Sequence, residues 1–177
     1  MQMMKNKVKF KVIVFIEGSN IYFAQKKMYK WLDWVKVKRF LHKTYKLIEI
    51  RYYVGVRKRD EKMSRFLRKL RRIGFKVITK PVKKIIDETG RELEKANFDV
   101  EITGDILSLV KKLDVVILFS GDSDFQYLVN ILHKKDKRLF VYSSKKTLSW
   151  ELKLRADKYF LLEELKQLTK TRKFVKL

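Results

Sequence analysis

Five short runs of apolar, largely β-branched residues recur along the chain: "FKVIVFI" at 10–16, "IEIRYYV" at 48–54, "FKVIT" at 75–79, "VVILF" at 115–119 and "LFVY" at 139–142. Runs of this length read as strands, and their near-continuous apolarity suits strands covered on both faces. Between them the period changes. In "DEKMSRFLRKLRRIG", Met63, Phe66, Leu67, Leu70 and Ile73 follow the three-four spacing of a helix face, and Gly74 ends the pattern. Helices also fit about 36–46, 99–112, 124–135 and 147–155. Strand and helix in alternation predict an α/β fold, a mostly parallel sheet with helices on both faces. The exception is "VKKIIDETGRELEK", where "ETG" between two charged stretches predicts a hairpin insertion.

With 177 residues, 46% of them apolar, and neither repeat nor low-complexity linker, residues 1–177 read as a single domain. The 44 Lys and Arg against 20 Asp and Glu give a net charge of +24, a field suited to a polyanion such as nucleic acid, with an anionic membrane surface as the competing partner. Binding of that kind weakens steeply with salt. The absence of Cys excludes disulfides and thiolate metal sites and fits a reducing, cytoplasmic setting. The apolar run Val12 to Ile16 is closed by Glu17, too short for an export signal, and no segment reaches the roughly 18 apolar residues of a membrane span. A soluble protein without a membrane partner is expected.

In open α/β sheets, ligands bind beyond the carboxyl ends of the strands, so the residues after each run carry the chemistry. "EGSN" (Glu17 to Asn20) follows the first, "SGDSD" (Ser120 to Asp124) follows the fourth, and "NFDVEITGD" sets Asp99, Glu101 and Asp105 at the start of a helix. Helix capping accounts for any one of these acids or for Ser120. It does not account for three acid-bearing turns at one edge of a basic protein, nor for the second acid of "DSD". Carboxylates brought together repel unless a cation or a proton intervenes. All-oxygen ligands favour Mg2+ or Mn2+ over Zn2+. His42 and His133 fall within expected helices and read as surface or core positions.

"VIVFIEGSNIY", "FDVEITGD", "VVILFSGDSDFQYLV" and "SWELKLRADKYFLL" together resemble the NYN domain of the LabA or DUF88 type, within the PIN-like superfamily of metal-dependent ribonucleases. The resemblance spans about 9–165 and leaves a basic tail at about 166–177. It implies a PIN-like three-layer α/β/α sandwich whose acids bind Mg2+ or Mn2+ and hydrolyse RNA through metal-activated water. Carried over, the metal-binding and catalytic acids fall on Glu17, Asp99, Asp122 and Asp124, with Asp105 as a second acid. Ser19, Asn20 and Ser123 become candidates for hydrogen bonds to carboxylate or phosphate. One position departs from the family pattern: "DGSN" is usual, and Glu17 adds a methylene that Mg2+, with its demand for regular octahedral geometry, tolerates poorly.

The excess of basic residues then has a use. Residues 57–84 hold thirteen Lys and Arg, and Arg65, Arg68, Lys69 and Arg72 lie off the apolar stripe as a face for a phosphate backbone, the alternative being a solvated helix face. The expected partner is single-stranded or structured RNA, and a homodimer is left open. Tyr29, Trp31 and Trp34 are candidates for base stacking or for the core, and Trp150 is assigned to packing. The competing functions are a PIN-like RNA-binding or regulatory module with little or no turnover, and a nucleotide-binding regulator. The lack of a "GxxxxGK(S/T)" loop or a "GxGxxG" turn weighs against the latter.

Overall fold

The computed structural model describes residues 9–86, 88–90 and 92–171. In chain order the elements are β1 Lys11–Glu17, α1 Gly18–Met28, β2 Lys30–Leu32, α2 Trp34–Thr44, β3 Lys46–Val56, α3 Glu61–Arg72, β4 Lys76–Pro81, β5 Lys83–Ile86, β6 Glu92–Lys95, α4 Asp99–Leu109, β7 Val115–Phe119, α5 Gln126–His133, β8 Arg138–Ser143, α6 Trp150–Arg155, β9 Lys158–Leu161 and β10 Thr169–Thr171. Six strands form a sheet in the order β4-β3-β1-β7-β8-β9, every neighbouring pair parallel. All five apolar runs are strands of this sheet. β9 was not anticipated, because "KYFL" is an exposed to half-buried edge with no continuous apolar run.

The alternation of side chains across the pleat divides the interior into two layers. Val12, Val14 and Ile16 of β1, with Val115, Ile117 and Phe119 of β7, pack beneath α1, α2 and α3. Ile13 and Phe15, with Val116 and Leu118, point the other way, beneath α4, α5 and α6. Helices thus cover both faces, as the strand and helix alternation predicts, in the α/β/α sandwich that the family resemblance implies. Parallel crossovers are right-handed, so the helices of the β1-to-β4 half and those of the β7-to-β9 half must lie on opposite faces. The chain order reverses at β1 and β7, and the crevice at their carboxyl ends is where such sheets place ligands.

The expected hairpin is present as β5 and β6, antiparallel from Lys83 opposite Lys95 to Ile86 opposite Glu92. Two other strands are new. β2 pairs antiparallel with β10, and Leu168 just before it is 2% exposed. The start of the basic tail is therefore docked on the domain, while 172–177 lie outside the described residues. Trp34 is a core residue, edge-on to Tyr52 and Phe75. Trp150, assigned to packing from the sequence, is instead 66% exposed, because α6 buries Leu152. Among the described residues, no helix is long and apolar enough to cross a membrane.

Between α2 and β8, the hydroxyls of Tyr45 and Tyr142 share a buried hydrogen bond of 2.9 Å, and the Tyr142 ring stacks between Phe119 and Phe160. Tyr142→Phe keeps the stack but strands the Tyr45 hydroxyl. It should lower stability by about 1–3 kcal/mol in urea unfolding, and adding Tyr45→Phe should recover part of that loss.

Candidate metal centre

Glu17 is the last residue of β1 and only 7% exposed. Its carboxylate accepts a hydrogen bond from Ser120 Oγ at 2.5 Å and another from Ser19 Oγ at 3.2 Å. Ser120 follows β7, and its Oγ accepts the Asp122 N–H at 3.1 Å. One hydroxyl thus ties the end of β1 to the turn after β7. The Asp122 side chain accepts the Asp124 N–H at 3.1 Å, capping the short 3-10 turn Ser123–Phe125. Capping and cluster membership therefore coincide in Asp122. Asp99 opens α4, which approaches from the other layer. Glu17, Asp99 and Asp122 each present a carboxylate oxygen within 4.8 Å of the others.

Two glycines make the approach possible. A Cβ on Gly18 would lie 2.7 Å from the Tyr53 carbonyl oxygen and from the Tyr52 ring, and one on Gly121 would lie 2.1 Å from the Thr147 carbonyl oxygen. Asn20 Oδ1 accepts the Gly121 N–H at 3.0 Å and fixes the first turn of α1 against the Asp122 loop. α1 has no side-chain cap at its N-terminus, so first-turn N–H groups are left facing this edge.

Burial pushes the Glu17 carboxyl up from the ordinary 4.5 to about 7; Ser120 opposes this, and Asp122 and Asp99 add to it. Asp99 is likewise raised, by burial first and then by Asp122 and Asp124. Such a cluster is costly when fully ionised, and a cation relieves the cost. The donor set is all oxygen. Two oxygens on one Mg2+ at about 2.1 Å stand at most about 4.2 Å apart, so ligand atoms already within 4.8 Å close on such an ion with small side-chain shifts. The residues fit a hard divalent cation.

The other sequence candidates lie elsewhere. Asp124 is exposed and close enough to raise Asp99 electrostatically, but it stands outside the triangle. Asp105 also stands outside it: Tyr53 donates to its carboxylate at 2.6 Å and Arg51 Nη1 pairs with it at 2.7 Å. Burial raises Asp105, but these two partners outweigh it and hold its carboxyl below the ordinary range. Glu101 pairs with Lys80. Ser123 lines a cleft of about 580 Å3 between the start of α1 and the loop after β8. Arg65, Arg68, Lys69 and Arg72 are exposed on α3, which packs in the layer opposite α4 and runs back from the carboxyl edge. Among the described residues, no hydrogen bond or ion pair links them to Glu17, Asp99 or Asp122. His42 is exposed, and His133 pairs at the surface with Asp157 at 3.0 Å.

Sequence reading treated Ser120 only as a cap, because its bond to Glu17 joins residues 103 apart. It missed Phe23, Lys27 and Lys146, which line the same cleft; only their neighbourhood to "EGSN" could have suggested the first two.

The NYN domain model matches residues 11–163. The chain belongs to the NYN domain family. This NYN protein is 29% identical over 160 residues to the low amplitude and bright protein LabA of Synechococcus elongatus, covering 88% of this chain and 86% of that one. Its structure matches the crystal structure of a protein of unknown function, VPA0982, from Vibrio parahaemolyticus, with a TM-score of 0.76 and 27% identity over 90% of this chain and 96% of the other. The family is nuclease-like and implies a nucleic-acid substrate, in keeping with the charge of +24.

The raised Glu17 carboxyl has a sign. Between 4.5 and about 7 the folded protein holds a proton that the unfolded chain releases, so stability from this group falls as pH rises through that window. The loss is up to about 3 kcal/mol. In chelator, the wild type should lose thermal stability relative to Glu17→Gln between about pH 5 and pH 8, and Mg2+ or Mn2+ should restore the wild type at the higher pH far more than at the lower. A difference between the two proteins that ignores pH would rule out this electrostatic account.

Proposed function

We propose that the protein is a divalent-metal-dependent ribonuclease that hydrolyses phosphodiester bonds at the crevice between β1 and β7. The observation that carries this reading is the convergence of Glu17, Asp99 and Asp122 in a chain of net charge +24. Glu17, Asp99 and Asp122 would hold Mg2+ or Mn2+. A cation bound there supplies an acidified water as nucleophile and neutralises charge on the phosphate oxygens. Ser19 and Ser120 orient the Glu17 carboxylate, and Ser120 also fixes the Asp122 backbone. Asn20 holds the Asp122 turn against α1, whose first-turn N–H groups and Ser123 can receive a phosphate oxygen. Asp124, exposed and close enough to Asp99 to act on it electrostatically, would orient water. Asp105 is a positioning residue, bracing α4 and hence Asp99 against β3 through Arg51 and Tyr53.

Arg65, Arg68, Lys69 and Arg72 serve the long-range field rather than the cut site. Attraction of that kind speeds encounter and weakens with salt. Hydrolysis adds the elements of water across the P–O bond, and no serine, cysteine or histidine nucleophile is needed.

Matched single-stranded RNA and DNA, labelled at one end and incubated with Mg2+, Mn2+ or chelator, test the reading. RNA should be cut in the presence of either metal. Asp122→Asn and Glu17→Gln should each reduce the rate by more than about a hundredfold, and Ser120→Ala by about ten- to a hundredfold. Binding of RNA without cleavage under any metal would leave an RNA-binding module in place of the nuclease.

A further inference from the structure

The cleft beside the acids is built for more than a phosphate. Asp122 forms part of its wall, so whatever fills it lies next to the carboxylate cluster. Asn20, Phe23 and Lys27 line it from α1, at the i, i+3 and i+7 positions of one helix face. Lys146 and Thr147 line it from the loop after β8, and Lys146 Nζ donates to the Lys27 carbonyl at 2.9 Å, joining the two walls. At about 580 Å3 it falls within the size range of small-molecule sites.

Phe23 is 56% exposed at this cleft, although α1 has a buried face of Ile21, Ala24 and Gln25 available to an apolar side chain. It is also the first of a chain of rings. Tyr22, 47% exposed, packs edge-on to Phe23 at 5.7 Å and lies 5.8 Å from Trp31 on β2. Lys26 Nζ stands 5.7 Å from the Tyr22 ring centre. Rings in edge-on and tilted contact thus continue from the cleft, with Lys26, Lys27 and Lys146 beside them.

We propose that Phe23 is a stacking platform for single-stranded nucleic acid: it takes the base adjoining the phosphate at the carboxylate cluster, and Tyr22 extends the track. The inference rests on the nuclease reading and adds to it the residues that take the base beside the cut site. Aromatic rings beside a positive groove hold single strands by stacking on bases that a duplex keeps enclosed. An apolar protein partner would have to strip water from three lysines to reach the same rings, so the charge favours the polyanion. Selection for single strands follows from the base faces that an unpaired strand leaves open, with no base-edge readout.

Binding measured in chelator separates this platform from turnover. Fluorescence anisotropy of the full chain with a labelled oligouridine should show Phe23→Ala weakening the complex by about five- to a hundredfold. Phe23→Trp should restore it, Phe23→Leu should not, and affinity for a blunt RNA duplex should change less than about twofold. Lys146→Ala should lower the slope of log affinity against log salt by about one. Circular dichroism melts keep loss of fold apart from loss of stacking. Unchanged single-strand affinity in Phe23→Ala, or equal losses for single strand and duplex, would overturn the platform. If the wild type cuts no RNA but Phe23→Ala still loses single-strand binding selectively, the platform stands and the nuclease reading falls.

Discussion

The hydrogen bond from Ser120 Oγ to Glu17 joins two strands that are neighbours only because the sheet reverses its order between them. β1 pairs in parallel with β3 on one edge and β7 on the other, and its side chains feed both core layers. Burial on both faces fixes the register, since a slip of one residue would turn Val12, Val14 and Ile16 into the wrong layer and Glu17 with them. The position of the acid is thus set by the apolar residues before it. An isolated carboxyl so deeply placed would titrate as a neutral acid. The Ser19 and Ser120 hydroxyls oppose that tendency, and the nearby Asp122 and Asp99 reinforce it. The cluster is held at a balance that a cation tips.

β1, β7 and β8 were legible because they are buried on both sides, and burial on both sides writes an unbroken apolar run; the half-buried edge strand β4 was legible from its β-branched residues. α1 was not, for an instructive reason. Its buried positions are Gly18, Ile21, Ala24 and Gln25, while Tyr22 and Phe23 face outward. The apolar stripe is weak, and the aromatic residues stand on the wrong face for a core helix. The same outward rings that obscured the helix are the ones beside the cleft. β9 and the β2-β10 pair escaped because short, partly exposed strands carry little apolar signal. Trp34 and Trp150 show that a large aromatic residue alone does not reveal its face; neighbours such as Leu152 decide it.

The acids divide in the same way. Spacing along the chain grouped Asp99 with Asp105, yet one helix carries them to different partners: Asp99 toward Asp122, Asp105 toward Arg51 and Tyr53 on β3. Arg51 is 48 or more residues from any acid of α4 along the chain, and its side chain is 9% exposed. Arg51 also pairs with Glu49 on its own strand, and its Nη1 holds Asp105 in a second, charge-assisted contact. Asp105 therefore braces the helix instead of joining the cluster.

Glu17 remains the departure from the pattern that the family resemblance leads one to expect, and its surroundings accommodate it. Fixing the longer side chain costs rotamer freedom of up to about 2 kcal/mol. A hydrogen bond to a charged group returns about 1.5–3 kcal/mol, and Glu17 accepts from both Ser19 and Ser120. The extra methylene lies in a position that is 7% exposed, where packing against neighbours restricts it further. The glutamate carboxylate thus reaches the same small volume as Asp99 and Asp122 without displacing the β1 backbone from the sheet. The Ser120 hydroxyl after β7 thus holds the longer acid and, by accepting the Asp122 N–H, also the turn that carries its neighbour in the cluster.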